Sequence, residues 1–259
     1  MDQRRQRLYR VEGIVLRRAD MGEADRLLTV FTVDRGKLRL LAKGVRKILS
    51  RKAGHVELFT RSTFLVAKGR TWDIITQAET IEAYRPLRQD LLRTTYAYYM
   101  AELVDRFMGE EDESRPVFDL IRETLSRLCT EDDPYLITRF FELHLLSLAG
   151  YQPQLFICVR CQASLEPMMN YFSLADGGVL CPRCGEGVAQ AEPLSVNMLK
   201  VLRFIQTREY DLVRRLNLKP ALRAELERLL YRYIVYVLER NLQSVDFLWT
   251  LRRQMGWAA

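Results

Sequence analysis

The 259-residue chain has little of what marks membrane proteins, secreted proteins and nucleotide-driven enzymes. No stretch of about 18 residues is without a charge, and the basic N-terminal residues precede no apolar run, which disfavours a membrane span and a cleaved signal peptide. There is no GxxxxGK[ST], GxGxxG, GxSxG or HExxH motif. The only two histidines, His55 and His144, offer few acid–base candidates. These absences favour a non-enzymatic protein of the cytoplasm.

Cysteine is also scarce, and four of the five cysteines form two close pairs, Cys158 with Cys161 and Cys181 with Cys184. Two CxxC pairs at this separation are typical of a zinc site in which four thiolates complete a tetrahedron. With all four positions taken by sulfur, we expect one structural Zn²⁺ and no catalytic role. A redox-active dithiol pair is the alternative interpretation. The fifth, Cys129, lies in a helical pattern and is expected to be a buried small hydrophobe.

Positive charge is concentrated in the N-terminal third. Residues 1–86 hold 19 Lys and Arg against 10 Asp and Glu, whereas residues 87–259 hold 21 against 23. Residues 35–70 contain 11 basic residues and a single acidic one, Glu57. Such a cluster predicts a polyanionic partner such as a phosphate backbone, the alternative being a solvated face that only aids solubility. The predicted DNA-binding residues are Arg35, Lys37, Arg39, Lys43, Arg46, Lys47, Arg51 and Lys52.

Residues 9–84 read as five short strands, with turns at Asp34-Arg35-Gly36 and Lys68-Gly69-Arg70. Their number and spacing favour an OB-type β-barrel, with an SH3-like barrel or another small β-sheet domain as the alternative. Alternation along the third strand predicts that Lys37 and Arg39 face outward. The aromatic residues nearby could stack on bases, although each is expected to be core: Tyr9, Phe31, Phe59, Phe64 and Trp72.

After Arg85-Pro86 the apolar pattern becomes helical, which makes the chain an α+β protein. Helices are expected from Leu87 to Gly109, from Asp133-Pro134 to Gly150, from Ser195 through Phe204, and from Pro220 to about Asn241. Consecutive acids at Glu110 to Glu113 are expected to form a solvated loop. The predicted domains are an OB-fold at 1–84, a helical domain in two parts at 85–150 and 194–259, and a four-cysteine zinc-finger-like element at 151–193.

Three pieces of the sequence carry a family resemblance: VEGIVLRRADMGEADRLLTVFT, DRGKLRLLAKGVRK, and the two-knuckle cysteine insertion within a helical body. Together they resemble RecO, the bacterial family of DNA repair and recombination mediators. The resemblance implies binding of single- and double-stranded DNA without sequence specificity, annealing of complementary strands, and loading of RecA onto strands coated by the single-stranded-DNA-binding protein SSB. The implied partners are RecR and the acidic C-terminal tail of SSB, with a functional link to RecA and RecF and a location at the nucleoid.

Two other classes of function stay open from the residues alone. A zinc-containing RNA-binding or translation-associated factor would share the barrel, the basic cluster and the four cysteines. An enzyme with a dithiol or a Cys129 nucleophile is the third class. If the family resemblance holds, a helical groove flanked by arginine would receive the SSB tail, and the candidates for that flank are Arg122, Arg127, Arg139, Arg203 and Arg208.

Overall fold

The computed structural model describes residues 7–239 and 242–254. The chain divides into two compact units, one ending at Asp132 and the other beginning at Asp133. The division therefore falls inside the segment 85–150 that the sequence pattern assigns to one part of the helical domain. Within the described ranges no helix is long and apolar enough to cross a membrane.

The first unit begins with a closed barrel of five strands, β1 (Leu8–Met21), β2 (Asp25–Thr32), β3 (Lys37–Ala42), β4 (Arg61–Ala67) and β5 (Asp73–Glu82). The strand order around the barrel is β1-β2-β3-β5-β4, with β4 pairing back to β1. All pairings are antiparallel except that of β3 with β5. This order and closure confirm the predicted OB-type barrel.

Both predicted hairpin turns are present, for different reasons. Gly36, between β2 and β3, has a φ of 58°, which glycine adopts without strain, and a Cβ there would lie 2.4 Å from the Asp112 backbone nitrogen. Gly69, between β4 and β5, is not left-handed. A Cβ at Gly69 would lie 1.9 Å from the carbonyl oxygen of Trp72, so close backbone approach requires glycine there.

Three helices complete the first unit: α1 (Arg85–Gln89), α2 (Leu91–Phe107) and α3 (Arg115–Thr130). The prediction of a single helix from Leu87 to Gly109 is wrong, because the chain forms two helices there. The Asp90 side chain accepts a hydrogen bond from the backbone N–H of Arg93 and caps the second one. The buried rings of Phe31 in β2 and Phe118 in α3 lie 6.4 Å apart. Packing of this kind explains why these helices belong to the barrel's unit.

The second unit holds α4 (Pro134–Leu148), α5 (Pro182–Gly185), α6 (Val196–Thr207), α7 (Tyr210–Val213), α8 (Pro220–Leu238) and α9 (Gln243–Gln254). Helix α4 is buried along most of its length and packs against α6, α7 and α8. Its predicted start is confirmed, since Asp133 accepts a hydrogen bond from the N–H of Tyr135. Ser195 caps α6 as predicted. The expected end of the last helix, Asn241, lies outside the described residues.

Between α4 and α6 the chain forms a small three-stranded sheet. Its strands are β6 (Asn170–Ser173), β7 (Gly178–Leu180) and β8 (Ala191–Leu194), in the order β7-β6-β8. The turn Asp176-Gly177-Gly178 joins β6 to β7, and Asp176 accepts hydrogen bonds from Ser173 and Arg160. The sheet thereby places both cysteine pairs at one end of the same hairpin.

Candidate nucleic-acid interface and metal centre

Lys37 does not present its charge to solvent, so that part of the prediction is wrong. Its side chain is 11% exposed, and its Nζ lies 2.9 Å from Oδ1 of Asp105 and 2.5 Å from the Asp105 carbonyl oxygen. The ammonium therefore neutralises a carboxylate near the end of α2. Because strand alternation says nothing of what covers a strand's outer face, the sequence could not reveal this contact.

The acidic loop at Glu110 to Glu113 was expected to be solvated, but the structure shows that it contacts β3. The N–H of Glu111 donates to the Lys37 carbonyl at 3.3 Å, and Glu110 forms an ion pair with Arg39 at 2.9 Å. Arg39 is exposed, as predicted. Because Arg39 is already paired with the Glu110 carboxylate, a phosphate would have to compete with that carboxylate for the guanidinium.

Lys52 and Arg46 are also engaged with the barrel. The Nζ of Lys52 donates to the Ile75 carbonyl at 2.9 Å, and burial lowers the pKa of this ammonium. Arg46 donates to the Gly22 carbonyl at 3.0 Å and lies 3.5 Å from a carboxylate oxygen of Asp20. Both side chains stabilise the segment they belong to.

Arg35 is exposed on the β2–β3 turn, with its guanidinium 4.7 Å from the centre of the Tyr9 ring. The Tyr9 hydroxyl donates to Asp73 at 2.7 Å, and burial together with this contact raises the pKa of Tyr9. One ring face of Tyr9 is thus covered by Arg35. The expectation that the nearby phenylalanines are core is confirmed for Phe31, Phe59 and Phe64.

The remaining predicted cations, Lys43, Lys47 and Arg51, are exposed, and no ion pair engages them within the described ranges. They lie in residues 43–52, which we call the basic loop. The single acidic residue of segment 35–70, Glu57, is paired with Arg18 and Arg26 from β1 and β2, so it does not neutralise Lys43, Lys47 or Arg51. Two further exposed cations without a described ion pair, Lys68 and Arg70, occupy the β4–β5 turn.

The four clustered cysteines form a site for a metal ion. Their Sγ atoms all lie within 4.8 Å of one another, and those of Cys161 and Cys181 are 3.7 Å apart. Sulfurs bound at about 2.3 Å around a tetrahedral zinc are separated by about 3.8 Å, which the separation of Cys161 and Cys181 matches.

Backbone hydrogen bonds hold both cysteine knuckles in place. The N–H of Val159 donates to the Val179 carbonyl at 3.0 Å, which joins the first knuckle to β7, the strand that leads directly into Cys181. Burial opposes ionisation of Cys158, but hydrogen bonds from the backbone of Cys161, Cys181 and Arg160 outweigh it and lower the pKa of Cys158 to about 6. The hydrogen bond with the Cys161 thiol and burial instead raise the pKa of Cys184 to about 12.

The other reactive side chains have structural surroundings. Nδ1 of His55 accepts the N–H of Thr80 at 3.2 Å, whereas His144 stacks on Phe140 with ring centres 3.9 Å apart. His144 is half-buried, and its Nε2 also lies 3.2 Å from the Ile205 carbonyl oxygen. Cys129 is half-buried, and burial raises the pKa of its thiol, which keeps it protonated rather than nucleophilic.

Of the five arginines predicted to flank an SSB-tail groove, Arg139 is excluded, because it is 2% exposed and paired with the buried Glu142 at 2.9 Å. Arg122 and Arg127 lie on α3 in the first unit, each paired with Glu123. Only two of the five therefore lie near the surface of the second unit: Arg203, whose guanidinium lies 5.1 Å from the Phe156 ring centre, and the exposed Arg208.

An OB-type barrel with exposed cations on one loop, followed in the chain by helices and a four-cysteine cluster, defines a class of folds seen among nucleic-acid-binding proteins. Family models assign the chain further: residues 6–84 match "Recombination protein O N terminal" and residues 88–246 match "Recombination protein O C terminal". The chain belongs to the RecO family of DNA repair proteins.

Curated relatives agree with this assignment. "DNA repair protein RecO" of Roseiflexus sp. (strain RS-1) is 43% identical over 251 residues, covering 97% of this chain and 88% of the relative. The protein of the same name from Dehalococcoides mccartyi (strain ATCC BAA-2266 / KCTC 15142 / 195) is 36% identical over 95% of this chain and 96% of its own length. That from Symbiobacterium thermophilum is 35% identical over 95% and 98%. The similarity therefore extends over both units.

Proposed function

We propose that this protein is a non-enzymatic recombination mediator that binds single- and double-stranded DNA without sequence specificity and anneals complementary strands. The observation that carries the proposal is the basic loop on an OB-type barrel, where Lys43, Lys47 and Arg51 are exposed and form no ion pair with any described residue. Cations on a solvent-exposed loop suit phosphates, whose condensed counterions they replace. They offer no fixed set of donors for reading base edges, which favours sequence-independent binding.

The experiment titrates the full chain into labelled single- or double-stranded DNA at several salt concentrations. Fluorescence anisotropy of the DNA measures binding. Structured RNA of matched length is added as the competitor. We expect DNA to remain bound, with affinity falling steeply as salt rises. Preferential displacement by RNA would favour an RNA-binding or translation-associated factor instead. A second assay follows annealing of two complementary strands, which the protein should accelerate without ATP.

The four-cysteine cluster is proposed to hold one Zn²⁺ as a structural ion. Four thiolates leave no position for water or substrate, so the metal would stabilise the fold of residues 151–193 and do no chemistry. The fit of the 3.7 Å sulfur separation to a tetrahedral site supports this. In this role zinc would hold the two knuckles against the β6–β7 hairpin.

We also propose the partners that membership of the RecO family implies. They are RecR and the acidic tail of SSB, with a functional link to RecA and RecF. Because positive charge lies in the N-terminal third and the rest of the chain is nearly neutral, we place DNA on the barrel and the SSB tail on the helices of the second unit, beside Arg203 or Arg208. A labelled SSB-tail peptide should therefore stay bound to the full chain when DNA is added to saturation. Displacement of the peptide by DNA would show that both use the barrel.

A further inference from the structure

The tip of the basic loop carries the two most exposed large hydrophobic side chains of the described residues. Ile48 is 102% exposed and Leu49 is 92% exposed, and the next in order, Leu91, is 55% exposed. Side chains at these values make almost no contact with the rest of the chain. Apolar atoms held in water at a loop tip are unfavourable unless a partner covers them.

The tip is held in a defined turn. The N–H of Ser50 donates to the Lys47 carbonyl at 2.9 Å, which makes Ile48 and Leu49 the two central residues of a four-residue turn. Glycine, proline, asparagine and aspartate dominate such positions, so two large aliphatic residues there are not explained by turn geometry.

The barrel anchors the loop on both sides of the tip. Val45 before the tip and Val56 after it are buried in the barrel core. The N–H of Gly44 donates to Asp25 at 2.7 Å, the N–H of Arg46 donates to the Ala24 carbonyl at 2.9 Å, and Lys52 is bonded to β5. The loop is therefore built to hold its tip outward rather than to fold it back on the barrel.

The charges around the tip select its partner. Lys47 and Arg51 flank Ile48 and Leu49, Lys43 precedes them, and residues 43–56 contain no acidic residue. Two side chains are too few for a stable protein–protein interface, which takes about 800 Å² from each partner. The basic loop also contains no Trp, Tyr or Phe, the residues that anchor loops and helices at a membrane surface. An apolar wedge beside cations matches a nucleic acid, in which the apolar faces of stacked bases lie next to a row of phosphates.

We propose that Ile48 and Leu49 form a wedge that inserts between adjacent bases of bound DNA and unstacks them, while Lys43, Lys47 and Arg51 hold the phosphates on either side. The inference rests on the proposed DNA-binding function and adds a specific action to it. Unstacking frees the bases of a single strand to rotate, which would aid their pairing with a complementary strand. Insertion needs no base-specific contact and is thus compatible with sequence-independent binding.

The test uses the full chain and a single-stranded oligonucleotide with one 2-aminopurine between two adenines, whose fluorescence rises when the base unstacks. The wedge variant is Ile48→Ser with Leu49→Ser. The matched control is Leu8→Ser with Ile81→Ser, which removes the same two residue types from half-exposed positions on barrel strands. Thermal unfolding of every variant checks that each is folded.

We expect wild type and control to raise the fluorescence on binding, whereas the wedge variant loses that rise, binds about tenfold more weakly and keeps the same salt dependence. A wedge variant with unchanged fluorescence rise and affinity overturns the inference while the proposed DNA binding stands. The inference is also overturned if the wedge variant binds DNA as the wild type does and loses binding only to phosphatidylglycerol vesicles, because the tip would then contact a membrane. Failure of the wild-type protein to bind any DNA would instead overturn the proposed function, and the wedge with it.

Discussion

Lys37 and Asp105 form an ion pair of 2.9 Å that joins the third barrel strand to the second helix, 68 residues further along the chain. The pair is mostly buried, and the same ammonium also donates to the Asp105 backbone carbonyl. A residue that the charge pattern places among the DNA-binding cations thus contributes to the packing of a helix on the barrel.

This pair predicts a stability effect. Lys37→Ala removes the hydrogen bond and leaves the Asp105 carboxylate without its cation, so we expect a loss of about 1–3 kcal/mol in the free energy of unfolding. Lys43→Ala is the control, because that exposed residue has no described ion pair, and its effect should stay within about 0.5 kcal/mol. Urea denaturation midpoints measure both. Equal midpoints for the two variants would contradict the structural role of Lys37.

DNA affinity is predicted to depend on Lys43, Lys47 and Arg51. If about six phosphates are contacted, the slope of log affinity against log salt is about −4 to −5, and replacing these three residues by alanine should make it shallower by about 2 to 3. The charge-matched control replaces Lys200, Arg215 and Arg228, which are exposed in the second unit. Anisotropy titrations over a salt series give the slopes. A larger effect from the control set would place the DNA elsewhere.

Metal content gives the next prediction. The chain should bind one equivalent of Zn²⁺, and Cys181→Ser should lose most of it, because three thiolates cannot complete the tetrahedron. Hydrogen exchange should then quicken in residues 151–193 while the barrel strands stay protected. Cys129→Ser, outside the cluster, serves as the control and should keep its zinc. Zinc-free protein purified under reducing conditions would refute the site.

Asp133 has two roles at the start of α4 that substitutions can separate. Its carboxylate caps the helix by accepting the N–H of Tyr135, and it also forms an ion pair of 2.7 Å with Arg223. Asp133→Asn keeps a capping oxygen and loses only the exposed pair, so it should cost less than about 1 kcal/mol. Asp133→Ala loses both and should cost about 1–2 kcal/mol. Thermal unfolding that ranks the variants the other way would exclude the capping role.

The sequence predicted the parts of this structure that depend on local pattern. Five strands, the turn at Gly36, the cap at Asp133 and the paired cysteines follow from residue type and spacing over a few positions. Asp90 could have been recognised as a cap, but it lies inside an otherwise continuous helical pattern. Strand β8 was missed because Ala-Glu-Pro-Leu contains a proline and too few β-formers.

What could not be predicted depends on contacts between distant residues. Lys37 and Lys52 are not free to bind a partner, because the fold brings carbonyl and carboxylate groups into contact with their ammonium groups. The exposure of Ile48 and Leu49 is opposite to what an apolar pair in a basic segment would suggest. Only the fold separates cations that hold the protein together from cations that remain available.

The closed strand order also has a consequence for folding kinetics. Strands β1 to β3 and strands β4 and β5 pair with sequence neighbours, but closure needs two pairings of distant strands. Strand β1 meets β4 through seven residue pairs, whereas β3 meets β5 through only two, Leu40 with Asp73 and Leu41 with Ile74. Such distant pairings bear a loop-closure cost and form after local hairpins. The short parallel pairing is thus the expected last step of folding, and the Lys52 hydrogen bond to Ile75 reinforces the strand that completes it.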